Sequence, residues 1–277
     1  MDKLHFLTPG IPYSTKGKKS IENGLKRIKE LGLDGMEIEY VRGVQLDYKR
    51  AREYGSFAKE LNLVLTAHAP YYINLYSNEK EKVSASIQHI LNTARMLDAA
   101  GGYSVVFHAA YYMGNKPVEV YPTVLERMKE IQRIAEKEAL KVWIRPEIMG
   151  KKTQFGSLME VINLTKDVGG NIMPCIDFAH LHARTGKNNT YEEFASILET
   201  IKENLGEEAL YDMHIHVSGI KYSEKGEQSH LNIRKSDFKI REFLKCLKDY
   251  AVSGVLVCES PNIEGDTLLL KLIYDSM

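Results

Sequence analysis

The chain has 277 residues, 44% of them hydrophobic and 27% charged, with 37 basic and 37 acidic side chains and a formal net charge of zero. That length suits one large α/β barrel or two smaller domains, and the composition is that of an ordinary globular protein. The balanced charge excludes nucleic-acid binding through overall charge; such a partner has to be held by a local basic patch.

Taken in chain order, short β-like runs alternate with longer segments of helical period. The apolar runs are Leu4–Leu7, Gly35–Tyr40, Leu63–Ala67, Ser104–Phe107, Val142–Ile144, Ile172–Ile176, Tyr211–Val217 and Val255–Cys258, eight in all. Between them lie amphipathic stretches such as Ile21, Leu25, Ile28 and Leu31, or Val124, Met128, Ile131 and Ile134. Eight strands, each followed by a helix, predict a single-domain (β/α)8 TIM barrel over residues 1–277. A doubly wound open sheet is the competing arrangement. It usually carries a glycine-rich phosphate turn after an early strand, and Thr8-Pro9-Gly10-Ile11-Pro12 is not one. Two connections, Ala109–Pro117 and Ser218–Ser236, are longer than a barrel needs and fall on the C-terminal face, where barrel enzymes place their chemistry.

The three cysteines, Cys175, Cys246 and Cys258, form no spacing motif. They read as thiols in a reducing, cytoplasmic compartment, two of them small buried hydrophobes within apolar runs. The opening Met1-Asp2-Lys3-Leu4 is no signal peptide, and no apolar stretch approaches a membrane span, so no membrane partner is expected. A monomer is expected.

The strand ends carry the chemistry. The third run ends at His68, the fourth at His108, the fifth at Glu147 and the sixth at Asp177, with His180 just beyond; the seventh reads Met213-His214-Ile215-His216, and the eighth ends at Glu259. One such histidine signifies little, since most are hydrogen-bonded core or surface residues. Together they do not fit that reading. Several carboxylates gathered at one barrel mouth cost several kcal/mol unless cations neutralise them, and carboxylate with imidazole is a donor set for a borderline divalent metal such as zinc. His68, His108, Glu147, Asp177, His180, His214, His230 and Glu259 exceed what one tetrahedral ion takes, which predicts two or three ions with a bridging carboxylate. Glu147, from the middle strand of the set, is the natural bridge and the candidate catalytic residue. His216, two residues from His214 on the same strand face, is a ligand, a partner behind a ligand or a substrate contact. His182 is read as structural, on a turn that follows the sixth strand.

These motifs resemble the endonuclease IV family of apurinic/apyrimidinic endonucleases, within the xylose isomerase-like barrels. His68-Ala69-Pro70-Tyr71-Tyr72-Ile73-Asn74-Leu75 resembles its H-x-x-Y-x-I-N-L segment; Cys175-Ile176-Asp177-Phe178-Ala179-His180 resembles C-I-D-x-x-H; Met213-His214 resembles the start of M-H-L-N-D; and Cys258-Glu259 resembles the closing glutamate. The resemblance implies a zinc phosphodiesterase that cuts double-stranded DNA at abasic sites, with Mn2+ as an alternative metal. It also implies three ions: His68, His108 and Glu147 on the first, Glu147, Asp177, His214 and Glu259 on the second, His180 and His230 on the third. The pattern departs at Gln228-Ser229-His230, where the family has D-x-H; Glu227 is the alternative ligand to Gln228, a poor one for zinc. It departs again at His216, where the family has asparagine. Tyr71 and Tyr72 fall where the family wedges side chains into the minor groove, and loop cations including Arg42, Lys151, Lys152 and Arg184 are candidate phosphate contacts.

Two other functions share these residues. A sugar isomerase or epimerase would use one divalent ion on Glu147, Asp177, His214 and Glu259, with carboxylates moving protons. A DNA-binding relative that has lost cleavage through the change at Gln228 would bind abasic duplex without cutting it.

Overall fold

The computed structural model describes residues 1–41 and 43–277; Arg42 lies outside the described residues. Eight parallel strands form the barrel: β1 (Leu4–Pro9), β2 (Gly35–Glu39), β3 (Val64–His68), β4 (Ser104–Phe107), β5 (Trp143–Pro146), β6 (Cys175–Asp177), β7 (Met213–Val217) and β8 (Gly254–Cys258). They pair in the order β5-β4-β3-β2-β1-β8-β7-β6. The remaining seam between β5 and β6 is stitched by parallel bridges at Ile144–Ile172 and Glu147–Cys175, with Ile148 N–H donating to Cys175 O at 3.1 Å. The barrel expected from the sequence is the observed fold, and each strand falls on its apolar run.

Among the described residues nine helices wrap the strands: α1 (Ile21–Glu30), α2 (Tyr48–Glu60), α3 (Lys80–Ala99), α4 (Pro117–Lys137), α5 (Leu158–Val168), α6 (Phe178–Thr185), α7 (Tyr191–Leu205), α8 (Ile240–Asp249) and α9 (Glu264–Asp275). Their starts are written in the sequence. Ser20 accepts from Asn23 N–H to open α1, and Ser157 with Glu160 forms a reciprocal capping box on α5. Buried stripes such as Leu25 and Ile28 of α1, or Phe243, Leu244 and Leu247 of α8, face the sheet. The expected turn after the sixth strand is instead the helix α6. Asp177 caps it, its Oδ1 accepting from His180 N–H at 2.6 Å. No helix among the described residues is long and apolar enough to cross a membrane, and all three cysteines are free and buried.

Alternation along each strand stacks the barrel interior in layers. Lowest in the barrel, Arg145 is fully buried and donates to Pro174 O, Tyr103 Oη and Asp212 O. Two residues further along each strand the interior becomes rich in carboxylates and imidazoles. The two long connections fold over that end. Ala110–Tyr111 pairs with Gln154–Phe155, and Gly219–Ser223 pairs with Gly226–Leu231 as an antiparallel hairpin.

Gly254 opens β8 at φ +120°, with no room for a Cβ against Met213 O of the neighbouring strand. Gly254→Ala is therefore expected to lose about 1–3 kcal/mol of stability, read as a lower midpoint in urea denaturation.

Candidate metal centre

The strand ends converge on three donor sets that share one mouth. In the first, Glu147 Oε2 lies 3.2 Å from His68 Nε2 and 3.2 Å from His108 Nε2. In the second, Glu147 Oε1 lies 3.3 Å from His216 Nδ1, and Asp177 and Glu259 complete a group whose donor atoms all fall within 4.8 Å. The third comprises His180, Glu227 and His230. Glu147 thus turns one oxygen to each of the first two sets, as a bridging carboxylate does.

The tautomers test whether cations fit. His68 Nδ1–H donates to Ala69 O at 2.7 Å, so a neutral ring aims its Nε2 lone pair at the Glu147 carboxylate. His180 Nδ1–H donates to Ile148 O at 2.9 Å, and His230 Nδ1–H to Glu259 O at 3.2 Å. Their Nε2 lone pairs then face each other at 3.3 Å, with Glu227 Oε2 3.5 Å from His180 Nε2. Lone pairs aimed at one another repel unless a proton or a cation sits between them. Asp177 Oδ2 is buried and makes no hydrogen bond, although His180 Nδ1, turned to Ile148 O, lies 3.1 Å away; that is a costly state for a carboxylate oxygen and an ordinary one for a ligand atom. The donor chemistry fits divalent ions.

Charge crowding moves the titrations. Burial would raise Glu147, but the charge of His216, the hydrogen bond and charge of His108 and the hydrogen bond of His180 hold it well below the usual carboxylate range. Burial would lower His68; the Glu147 hydrogen bond and the charges of Glu39, Glu147 and Glu37 outweigh it and lift the imidazole to about 9. Burial pushes Asp177 up to about 6 against the pull of His180, with Glu259 and Glu147 adding to the rise. Glu39, raised mainly by burial, reaches about 7.

The second set holds a correction. His216, not His214, stands beside Glu147, Asp177 and Glu259. Strand β7 runs on to Val217, and its register pairs His216 with Asp177 and His214 with Cys175. His214 therefore lies one layer deeper, its Nε2 3.1 Å from Glu37 Oε2. Burial pushes it down to about 4, against the pull of Glu37.

The third set holds another. Gln228 is exposed, and Glu227 takes its place at the site. Residues two apart on a regular strand share a face, whereas residues three apart do not. A β-bulge resolves this: Tyr222 pairs with Glu227 but Lys221 with Ser229, leaving Gln228 as the extra residue. Glu227 and His230 thereby reach the same side. The hairpin is held against the 150–155 loop by Glu227 N–H to Gly150 O at 3.1 Å. A Cβ on Gly150 would press on Glu227 and on the His180 ring, so only glycine permits the approach.

A cavity of about 480 Å3 opens over the three sets, walled by Glu39, Tyr71, Tyr111, Met149, Lys151 and Gln154. Tyr71 donates its hydroxyl to Glu39 Oε2 at 2.9 Å and leans on the His68 and His108 rings; Tyr72, 55% exposed, packs edge-on against His89. Arg184 is spent on the carbonyls of Met149, Lys151 and Gln154, which fixes the loop and removes this guanidinium from the candidate phosphate contacts. His182 sits apart, its Nε2 3.2 Å from Asp237 Oδ1.

Sequence reasoning passed over Glu37 and Glu39. Their signal was present: two glutamates at strand spacing inside Gly35-Met36-Glu37-Ile38-Glu39, a run otherwise apolar and destined for burial.

A family model described as the xylose isomerase-like TIM barrel matches residues 25–272. The chain belongs to that family. It is 41% identical to the uncharacterized protein MJ0133 of Methanocaldococcus jannaschii, over 99% of this chain and 98% of that one. It is 23% identical to a probable endonuclease 4 of Aquifex aeolicus, over 83% of each chain. Among solved structures, a D-tagatose 3-epimerase-like protein superposes with a TM-score of 0.74 at 21% identity, covering 97% of this chain and 96% of that one. This last likeness concerns the fold alone. Membership of the family and the clustered His and Glu donors make this a metal-binding barrel enzyme.

In ion-free protein, His68, His180 and His216 all have raised pKa values. Their stabilisation is complete below the unfolded histidine pKa of about 6.5 and is lost as pH rises through the folded values. After chelation, the melting temperature is expected to fall between pH 6.5 and about 9, the latter being the His68 value. Added Zn2+ should reverse the fall, because the ligand nitrogens must be deprotonated to bind it. Calorimetry across that range checks both.

Proposed function

We propose that the protein is a metal-dependent phosphodiesterase of the endonuclease IV type, holding three Zn2+ ions and cutting double-stranded DNA at abasic sites. The observation that carries the reading is the division of Glu147 between two donor sets, with His180, Glu227 and His230 as a third beside them. A hydrolase acting on a phosphodiester has to neutralise charge on both the attacking and the leaving oxygen, which one ion does less well than several. The similarity to probable endonuclease 4 of Aquifex aeolicus supports the same reading.

When bound, such ions polarise a phosphoryl oxygen and lower the pKa of water. The chain's own groups set the geometry. Glu147, with His68 and His108 on one oxygen and His216 on the other, fixes the spacing of the first two sets. Glu259, 12% exposed and lining the cavity, completes the second set beside His216. Among the described residues that line the cavity, Lys151 is a cation available to a phosphate. Tyr72, next in sequence to the cavity-lining Tyr71, is an exposed aromatic available to an unstacked duplex; Tyr71, tied to Glu39, shapes the wall.

A second reading, a sugar epimerase, draws on a different observation. Glu147, Asp177, His216 and Glu259 alone make a four-donor site, and the cavity wall is acidic, with Glu39 and Glu227 against Lys151. Sugar hydroxyls suit acidic walls better than phosphates do.

Ion count and substrate separate the two. Elemental analysis is expected to give close to three zinc per chain, and the loaded protein is expected to nick abasic duplex; one ion per chain with turnover of a ketose would overturn the nuclease reading. Binding of abasic duplex without nicking would identify the non-cleaving relative. Glu147→Gln is expected to lower nicking by on the order of a thousandfold, since several kcal/mol of charge stabilisation depend on the metal centre. Glu227→Ala is expected to remove one ion and leave two, read by the same elemental analysis.

A further inference from the structure

Each of three imidazoles at the mouth, His68, His180 and His230, spends its second nitrogen on a backbone carbonyl: Ala69 O, Ile148 O and Glu259 O. His216 does not. Its Nδ1 faces the middle donor set, 3.3 Å from Glu147 Oε1 and 3.6 Å from Glu259 Oε1, and its Nε2 lies 3.0 Å from Glu37 Oε1. Glu37 is wholly buried in the layer beneath the mouth.

We propose that Glu37 is a positioning residue of the metal centre: it touches no ion, but fixes the tautomer and orientation of His216 so that Nδ1 presents its lone pair to the middle ion. The inference rests on the metal-centre reading above and is independent of the substrate. An imidazole that coordinates through Nδ1 carries its proton on Nε2, and that proton needs an acceptor in a buried site. Glu37 Oε1, 3.0 Å away and otherwise without a hydrogen-bond partner, is the carboxylate oxygen that can take this role. Its other oxygen is anchored by Thr66 Oγ1–H at 2.8 Å and by His214 Nε2 at 3.1 Å. His214 can donate there because Ser104 Oγ lies 2.6 Å from its Nδ1 and supplies the hydrogen bond on that side. The Nε2 atoms of His214 and His216 lie 3.2 Å apart; with both protons turned to the Glu37 carboxylate rather than to each other, the chain Ser104, His214, Glu37, His216 ends with a lone pair at the mouth. This assigns the deeper histidine a purpose: His214 steadies the carboxylate that steadies His216. A carboxylate behind the ring also makes His216 a more basic ligand than a carbonyl partner would.

The test loads wild-type, Glu37→Gln and Glu37→Ala proteins with Zn2+ alone and measures affinity by competition with a chromophoric chelator. The middle ion is expected to bind about ten- to a hundredfold more weakly in Glu37→Ala, with the other ions little changed. In Glu37→Gln the amide oxygen still accepts from one imidazole while its N–H2 opposes the other, and an intermediate loss is expected. Thr66→Val removes only the anchoring hydroxyl, and should weaken the same ion a few-fold even if the Glu37 variants fold poorly. Long-range 15N NMR of the loaded wild type should find the His216 proton on Nε2. Wild-type zinc affinity in all three variants, or a proton on Nδ1 in the loaded protein, overturns this inference alone. A wild-type chain that takes up no zinc overturns the centre and this inference with it.

Discussion

The structure depends on one buried carboxylate that cannot be neutralised by a single neighbour. Glu147 is 1% exposed, and its two oxygens face separate groups of imidazoles. Asp177 and Glu259 stand in the same group as its Oε1. Like charges this close in a medium of low polarity are tolerated only if positive charge is shared among them. The imidazoles can supply it as protons, and divalent ions can supply it more completely. The barrel makes the crowding possible, since eight strands fold their inward residues onto a single axis.

The fold was legible because its signal repeats. Eight apolar runs separated by helical stretches leave little choice of architecture, and the strands fall on those runs. The rim residues His68, His108, Glu147, Asp177 and Glu259 were legible for a related reason: each ends or just follows its run, so the end of the pattern marks the mouth. Where a residue was chosen inside its run by motif likeness and not by the run's end, it was misplaced. Strand β7 continues to Val217, so His216 is its rim residue, and motif likeness favoured His214 by matching a short stretch of letters without its register.

What stayed hidden required depth rather than sequence. Residues two positions before the rim on the same strand face, Glu37, Thr66, Cys175 and His214, together with Ser104 four positions before His108, form a layer that no end-of-run rule detects. Their partners are far apart in the chain; Ser104 and His214 are 110 residues apart. Glu227 was visible as an acidic neighbour of His230, but its suitability turned on a strand irregularity that no composition or spacing announces.

That irregularity has an evolutionary corollary. In the hairpin, Gln228 is the extra residue on its strand. Removing that one residue would restore regular alternation and leave the glutamate and histidine two apart, still on one face. Insertion or loss of a single codon, ordinarily ruinous within a strand, thus interconverts the E-x-x-H of this chain with an acid-x-H spacing while retaining the acid and the imidazole. Lineages can therefore differ in length at this turn and share the same pocket.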